Sequence, residues 1–198
     1  MRQSLPIAFL GALLLTASLS AGPMTVGERQ RLVAHLEMTG AWLESEVAGL
    51  SKGQLTFRPT PESWSVMEVV EHLAIAEPQY WKNFQDSLAK PVQPDFKPQA
   101  TDEAMLWYGI DRTRRATTGE ARVPRGTYAT VNDSLAAFRK LRAEMMQVAT
   151  TTEGDLRGRP YLTASQDLYQ WFLMISTHSQ RHILQIREVK AHKNFPKG

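Results

Sequence analysis

Between Leu168 and Val189 the chain sets Leu168, Trp171, Phe172, Ile175, His178, Ser179, His182, Ile186 and Val189 at helical spacing, an apolar stripe with two imidazoles built into it. A helix of this kind has to bury its stripe, and burying two unpaired imidazoles costs free energy. Whatever fold receives this helix must therefore supply polar partners or a metal. His178 and His182 are spaced i, i+4, so both rings leave one face about a turn apart. A third imidazole from a neighbouring helix would complete a three-nitrogen face for a divalent ion, with positions left free for water or substrate. His72 follows the face of Val69 toward Ala76 and is the candidate for that third ligand. Imidazole suits zinc, nickel and other late first-row metals. His35 and His192 read as ordinary structural histidines.

Three further segments have helical periodicity, and nothing reads as a sheet. The first opens at Thr25 with Glu28 as a capping box, carries Leu32, Leu36, Leu43, Val47 and Leu50, and is expected to end near Ser51-Lys52-Gly53 with Gly53 as its stop. The second starts at Ser63 or Ser65, with Ser65 and Glu68 as a capping box and Val66, Val69, Val70, Leu73, Tyr80 and Phe84 on its face. Pro78 inside it predicts a kink or local break. The third runs from about Val131 to Val148 with Leu135, Phe138, Leu141 and Met145 inward. The histidine-bearing helix is expected to begin near Thr163, with Gln166 completing its capping box.

Between the second and third helices lies a connection from about Lys90 to Thr130, which in a helical bundle reads as a crossover. It contains a short helical candidate, Asp102 to Tyr108, and the arginines Arg112, Arg114, Arg115, Arg122 and Arg125. Two readings of these arginines stand side by side. One is a solvated loop with local ion pairs to Asp111 and Glu120. The other is an anion-receiving rim over the metal, formed by Arg112, Arg114 and Arg115, since guanidinium forks fit carboxylate and phosphate.

Met1-Arg2, the apolar run Pro6 to Leu19 and the small residues Ser18-Leu19-Ser20 have the order of a secretory signal peptide over residues 1–21, leaving a mature domain over 22–198. The run is short for a membrane span, so no stable anchor is expected after cleavage. The 198-residue chain has no cysteine, which excludes disulfides, thiolate metal sites, cysteine nucleophiles and a lipoprotein anchor together. Its formal charge of +3 is too small to argue for nucleic acid.

Two segments carry a resemblance. Pro61-Glu62-Ser63-Trp64-Ser65-Val66-Met67-Glu68-Val69-Val70-Glu71-His72-Leu73 and His178-Ser179-Gln180-Arg181-His182-Ile183-Leu184-Gln185-Ile186 are similar, in order and separation, to the ligand-bearing segments of the DinB-like (DinB/YfiT-like) metalloenzyme family. The likeness spans roughly residues 27–192 and implies an all-α four-helix bundle with a divalent metal on His72, His178 and His182. Bundle architecture with the crossover between helices 2 and 3 is expected to be antiparallel. The family is chemically diverse, and some relatives are transferases or isomerases that use small thiols. A metal-dependent hydrolase or transferase is therefore one expectation, and an exported, non-catalytic metal- or ligand-binding module is the other. The partner is a small molecule, anionic if the arginine rim is real, and a homodimer stays open. No HExxH zincin motif, phosphate loop or serine nucleophile elbow is present. Glu71, one residue from His72, points about 100° away around the helix and reads as an ordinary exposed carboxylate. Arg181 likewise reads as an interhelical ion-pair partner.

Overall fold

Each long helix starts where a short polar side chain caps it and the third residue of the helix reaches back. In the computed structural model, whose described residues are 22–114, 117–162 and 165–197, these pairs are Thr25 and Glu28 for α1 (Val26–Val47), Ser65 and Glu68 for α3 (Val66–Leu88), Thr130 and Asp133 for α5 (Val131–Thr151), and Asp167 and Gln170 for α6 (Leu168–Lys190). Two short helices, α2 (Lys52–Thr56) and α4 (Asp102–Ile110), complete the set. The signal-like residues 1–21 lie outside the described residues, as do Arg115 and Thr163. No helix among the described residues is long and apolar enough to cross a membrane.

Three boundaries differ from the expectation. Helix α1 stops at Val47 because Gly49 takes the left-handed turn, at φ 72°, while Gly53 lies inside α2 under its own Ser51–Gln54 capping box. Helix α6 begins at Leu168 rather than near Thr163. Gln166 instead belongs to a two-residue strand that pairs antiparallel with Pro160–Tyr161, and Asp167 is the cap, accepting from the Gln170 N–H at 2.7 Å. Helix α3 continues through Pro78 from Val66 to Leu88 without a break.

Side-chain pairings along the helices give their directions. Arg29 bonds the carbonyls of Ala149 and Thr150 while Glu44 pairs with Arg139, so α1 and α5 run antiparallel. Tyr169 bonds the Glu28 carbonyl, Ser176 meets His35 and Lys190 meets Glu46, so α1 and α6 run parallel. Trp171 donates to the Tyr80 carbonyl while His178 faces His72, so α3 and α6 are antiparallel. Glu71 meets Thr127 just before α5 and Glu77 meets Arg142 within it, so α3 and α5 run parallel. The order around the bundle is α1, α6, α3, α5. A parallel α3/α5 pair requires the long crossover, and α4 rides on it against α6.

The apolar core is in two parts. One gathers Leu32, Leu36, Phe84, Met145, Phe172 and Leu173; the other gathers Leu43, Val70, Leu73, Phe138, Ile183 and Ile186. Between them lies a buried polar layer of Thr39, Glu77, Arg142, Ser176, His178 and Ser179. Such a layer is costly unless its members satisfy one another, and it marks the level at which the site is built.

Candidate metal centre

His178 and His182 project from α6 toward α3, where His72 meets them; one ring nitrogen from each of the three lies within 4.8 Å of the others. His72 and His178 face each other through Nε2, 3.3 Å apart. Nitrogens sharing one zinc at about 2.0–2.1 Å sit roughly that far from each other. His72 and His178 are buried, and His182 is partly exposed. Trp64, just ahead of α3, leans on His72 at 4.9 Å and stacks on His182 at 6.3 Å between ring centres, while Tyr80 sits edge-on to His178 at 5.1 Å.

The outer nitrogens decide which tautomer each ring presents. His72 Nδ1 lies 2.7 Å from the Arg122 carbonyl and His182 Nδ1 lies 2.9 Å from Gln185 Oε1. A carbonyl only accepts, so His72 donates from Nδ1 and its Nε2 is left as a lone pair facing the cluster. His182 is held in the same way if the Gln185 oxygen is the atom turned to it. His178 Nδ1 is buried with no hydrogen-bond partner, and the Glu77 carboxylate stands 3.9 Å away. Glu77 accepts from Ser179 Oγ and, at 3.0 Å, from Arg142, which also donates to Ser179 Oγ at 2.7 Å. A metal-bound His178 would carry its proton on Nδ1, facing this carboxylate.

Burial holds the three imidazoles below their ordinary range. For His72 the bond to the Arg122 carbonyl and the charge of Glu77 pull the other way, while the Arg122 charge adds to burial. For His178 and His182 the shift is large, with burial first and neighbouring imidazole and arginine charges after it. All three are therefore neutral at neutral pH, the form that ligates metal. Burial lifts the Glu77 carboxyl, against Arg142, Ser179 and His72, which lower it.

The cluster forms the floor of a cleft of about 410 Å³. Arg112 lines it and is paired in fork geometry with Glu188 at 2.8 and 2.9 Å. Arg114 contributes its carbonyl to Arg181, and Arg115 lies outside the described residues. Of the two local pairs expected in the crossover, Arg125–Glu120 forms at 2.9 Å, whereas the Asp111 side chain is bonded to Thr113.

Two residues differ from their expected roles. Glu71 is buried, not exposed, because it accepts the Arg125 and Thr127 N–H groups at 3.0 and 2.7 Å and fastens the end of the crossover. Arg181 makes no ion pair among the described residues; its guanidinium donates to the carbonyls of Tyr108, Asp111 and Arg114. Arg122, Gln185 and Glu77 were not anticipated as neighbours of the site. Gln185 follows His182 by three residues, a spacing that places the two side by side on a helix.

The sequence profile of the DinB superfamily matches residues 35–186, a span that takes in all three histidines. The chain belongs to the DinB superfamily. Among curated proteins no match is found. Among solved structures the chain is similar to YfiT from Bacillus subtilis, described as a probable metal-dependent hydrolase with an unusual four-helix bundle topology. The TM-score is 0.58 at 21% identity, covering 87% of this chain and 91% of that one. At this identity the likeness speaks to the fold alone.

Proposed function

We propose that this DinB-superfamily member is a divalent-metal-dependent hydrolase acting on a small molecule in the cleft above His72, His178 and His182. The observation that carries the reading is the convergence of three neutral imidazoles on the floor of an open cleft, with an oxygen held against the outer nitrogen of two of them. The donor set fits zinc, nickel or another late first-row ion. A bound ion would supply Lewis acidity toward a carbonyl or phosphoryl oxygen of the substrate.

The chain's own residues do the rest. The Arg122 carbonyl and Gln185 orient two rings, and Glu77 stands behind the third. Trp64 and Tyr80 pack against the imidazoles and limit water on that side. Arg181 ties the crossover down over the cleft through three carbonyls. A transferase using a thiol co-substrate would employ the same floor and walls. The non-catalytic alternative draws on one observation: Glu77, the carboxylate against the cluster, is sealed behind His178 rather than lining the cleft.

Metal analysis of the purified protein tests the reading first. About one divalent ion per chain is expected, lost in His178→Ala and kept in His192→Ala; equal content in the two variants would remove the site. A panel of esters, amides and thiol-transfer substrates, run with metal restored and with metal chelated, then separates enzyme from binding module. Export belongs to the same proposal. Mass spectrometry of the native protein should find a mature start near Ala21 or Gly22, and an intact Met1 in the cytoplasmic fraction refutes it.

A further inference from the structure

We propose that the cleft holds its ligand by an oxyanion, a carboxylate or phosphate group, through the guanidinium of Arg122. The inference rests on the metal reading above and names the substrate class of that same site. Three arginines line the cleft, and they differ in what they have left to give. Arg112 is matched by Glu188. Arg181 has committed three of its five N–H donors to neutral carbonyls that hold the crossover, so it adds positive field but has less bonding capacity to give. Among the described residues the Arg122 guanidinium makes no ion pair; its one hydrogen bond there is to the Gln79 amide oxygen at 3.1 Å, and its Nε is buried without a partner.

Its position is fixed by the site itself. The Arg122 carbonyl bonds His72 Nδ1 at 2.7 Å, and its guanidinium lies over the Tyr80 ring at 5.4 Å, the same ring that meets His178. One residue thus orients a metal ligand with its backbone and presents a cation beside the cluster with its side chain. The charges of the cleft point the same way. Arg112, Arg122 and Arg181 face Glu62 and Glu188, three positive against two negative, and a divalent ion would add two more positive charges. Behind the histidines Arg142 and Glu77 cancel each other. An excess of positive charge in a recess with low-dielectric walls attracts anions, and a guanidinium fork fits the oxygens of carboxylate and phosphate. The 410 Å³ of the cleft restricts the ligand to a small molecule.

Isothermal titration of zinc-loaded protein with inorganic phosphate, and separately with succinate, tests the inference on wild type, Arg122→Gln and Arg139→Gln. Arg139 is an exposed partner of Glu44, away from the cleft, and serves as the charge-matched control. Arg122→Gln keeps the peptide carbonyl that orients His72, so its zinc content should equal wild type. Its anion dissociation constant should rise roughly tenfold, the loss of one charged hydrogen-bond donor, and Arg139→Gln should leave it unchanged. Tighter binding of phosphate marks a phosphoryl ligand, and tighter binding of succinate a carboxylate. Equal affinity in wild type and Arg122→Gln, or no binding of either anion by zinc-loaded wild type, overturns the inference. Failure of wild type to take up zinc would be a failure of the metal reading; anion binding is then measured on the metal-free protein, where dependence on Arg122 sustains the inference and its absence ends it.

Discussion

Near the N-terminal end of α6, Arg157 meets three carboxylates; beside the C-terminal half of the same helix, Arg122 and Arg181 line a cleft, and among the described residues no carboxylate is bonded to either. Arg157 uses all five of its N–H donors on Glu28, Asp102 and Asp167, at 2.6 to 2.9 Å, and lies over the Tyr169 ring. Those carboxylates come from the starts of α1, α4 and α6, so one buried cation gathers three helix N-termini whose dipoles already favour negative charge. Burial lifts Asp167 to about 6 even with Arg157 pulling it down. The bundle can therefore neutralise an arginine completely where the purpose is to hold elements together. Its leaving cationic charge unmatched over three histidines is what a binding site requires and a structural clasp avoids.

The comparison breaks most readily at Arg157. Arg157→Gln leaves three carboxylates facing one another in a buried place, and removing one partner from such a cluster costs about 3–5 kcal/mol. Chemical denaturation of the metal-free protein should show that loss, while the folded fraction still binds metal as wild type does. Loss of metal binding in the folded fraction would mean that the two ends are not separate devices.

Glu77→Gln tests the other end. It keeps the volume of the side chain but removes its charge, leaves one acceptor oxygen where two served Ser179 and Arg142, and weakens the acceptor facing His178 Nδ1; outer partners of ligating histidines are worth about 10- to 100-fold in metal affinity. Competition with a chromophoric chelator should show a drop in that range in the folded protein, together with an altered visible spectrum of the cobalt-substituted protein, while the unfolding midpoint also falls because the buried Arg142 loses its counter-charge. An unfolding midpoint that collapses while metal affinity stays put would make Glu77 a partner of Arg142 alone.

Glu77 also shows how far the sequence could be read. The four long helices, the crossover and the three histidines follow from periodicity and spacing, and the caps of α1 and α3 from their Thr and Ser boxes, because those signals are local; the cap of α6 was placed four residues early. Glu77 and Arg142 were legible by the same rule and were overlooked. Glu77 follows Val70 by seven and Leu73 by four, and Arg142 follows Leu135 by seven and Phe138 by four, so a charge of each sign sits on an apolar stripe and demands a partner. Arg122 carries no such mark: it reaches His72 through a backbone carbonyl on an irregular segment, which no side-chain pattern reports. The parallel pairing of α1 with α6 was hidden for another reason, since a stripe says which face is buried and not which helix covers it. Gly53 passed for the stop of α1 because the sequence does not say which of two glycines takes positive φ, and it is Gly49.

Acid should separate the two ends further. Burial holds His35, His72, His178 and His182 below the ordinary value of 6.5. Above pH 6.5 these rings are neutral in both folded and unfolded chains and contribute no pH dependence. Below it the unfolded chain takes up protons at these rings that the folded chain refuses, at about 1.4 kcal/mol per pH unit for each proton; Asp167, lifted to about 6 in the fold, works the other way and offsets about one of them, so stability of the metal-free protein falls on balance as pH drops from 6.5 toward 5. Urea midpoints across that interval measure the slope. A flat profile would mean that the folded cluster protonates as readily as free histidine.

The smallest effect is expected at Arg112, and it decides which arginines give the cleft its field. Arg112 pairs with Glu188 at 2.8 Å, with the two side chains 23% and 53% exposed, so the pair contributes about 1 kcal/mol or less to stability. Arg112→Gln should scarcely move the unfolding midpoint. It also removes one positive charge from the cleft mouth, so anion affinity should weaken most at low salt, where that charge is least screened, and approach wild type at high salt. Arg122→Gln should instead weaken phosphate binding at every salt concentration, because it removes bonds as well as charge. If Arg112→Gln matches Arg122→Gln across the whole salt series, the rim first drawn from Arg112, Arg114 and Arg115 carries the recognition, and the distinction between matched and unmatched arginines in the cleft dissolves.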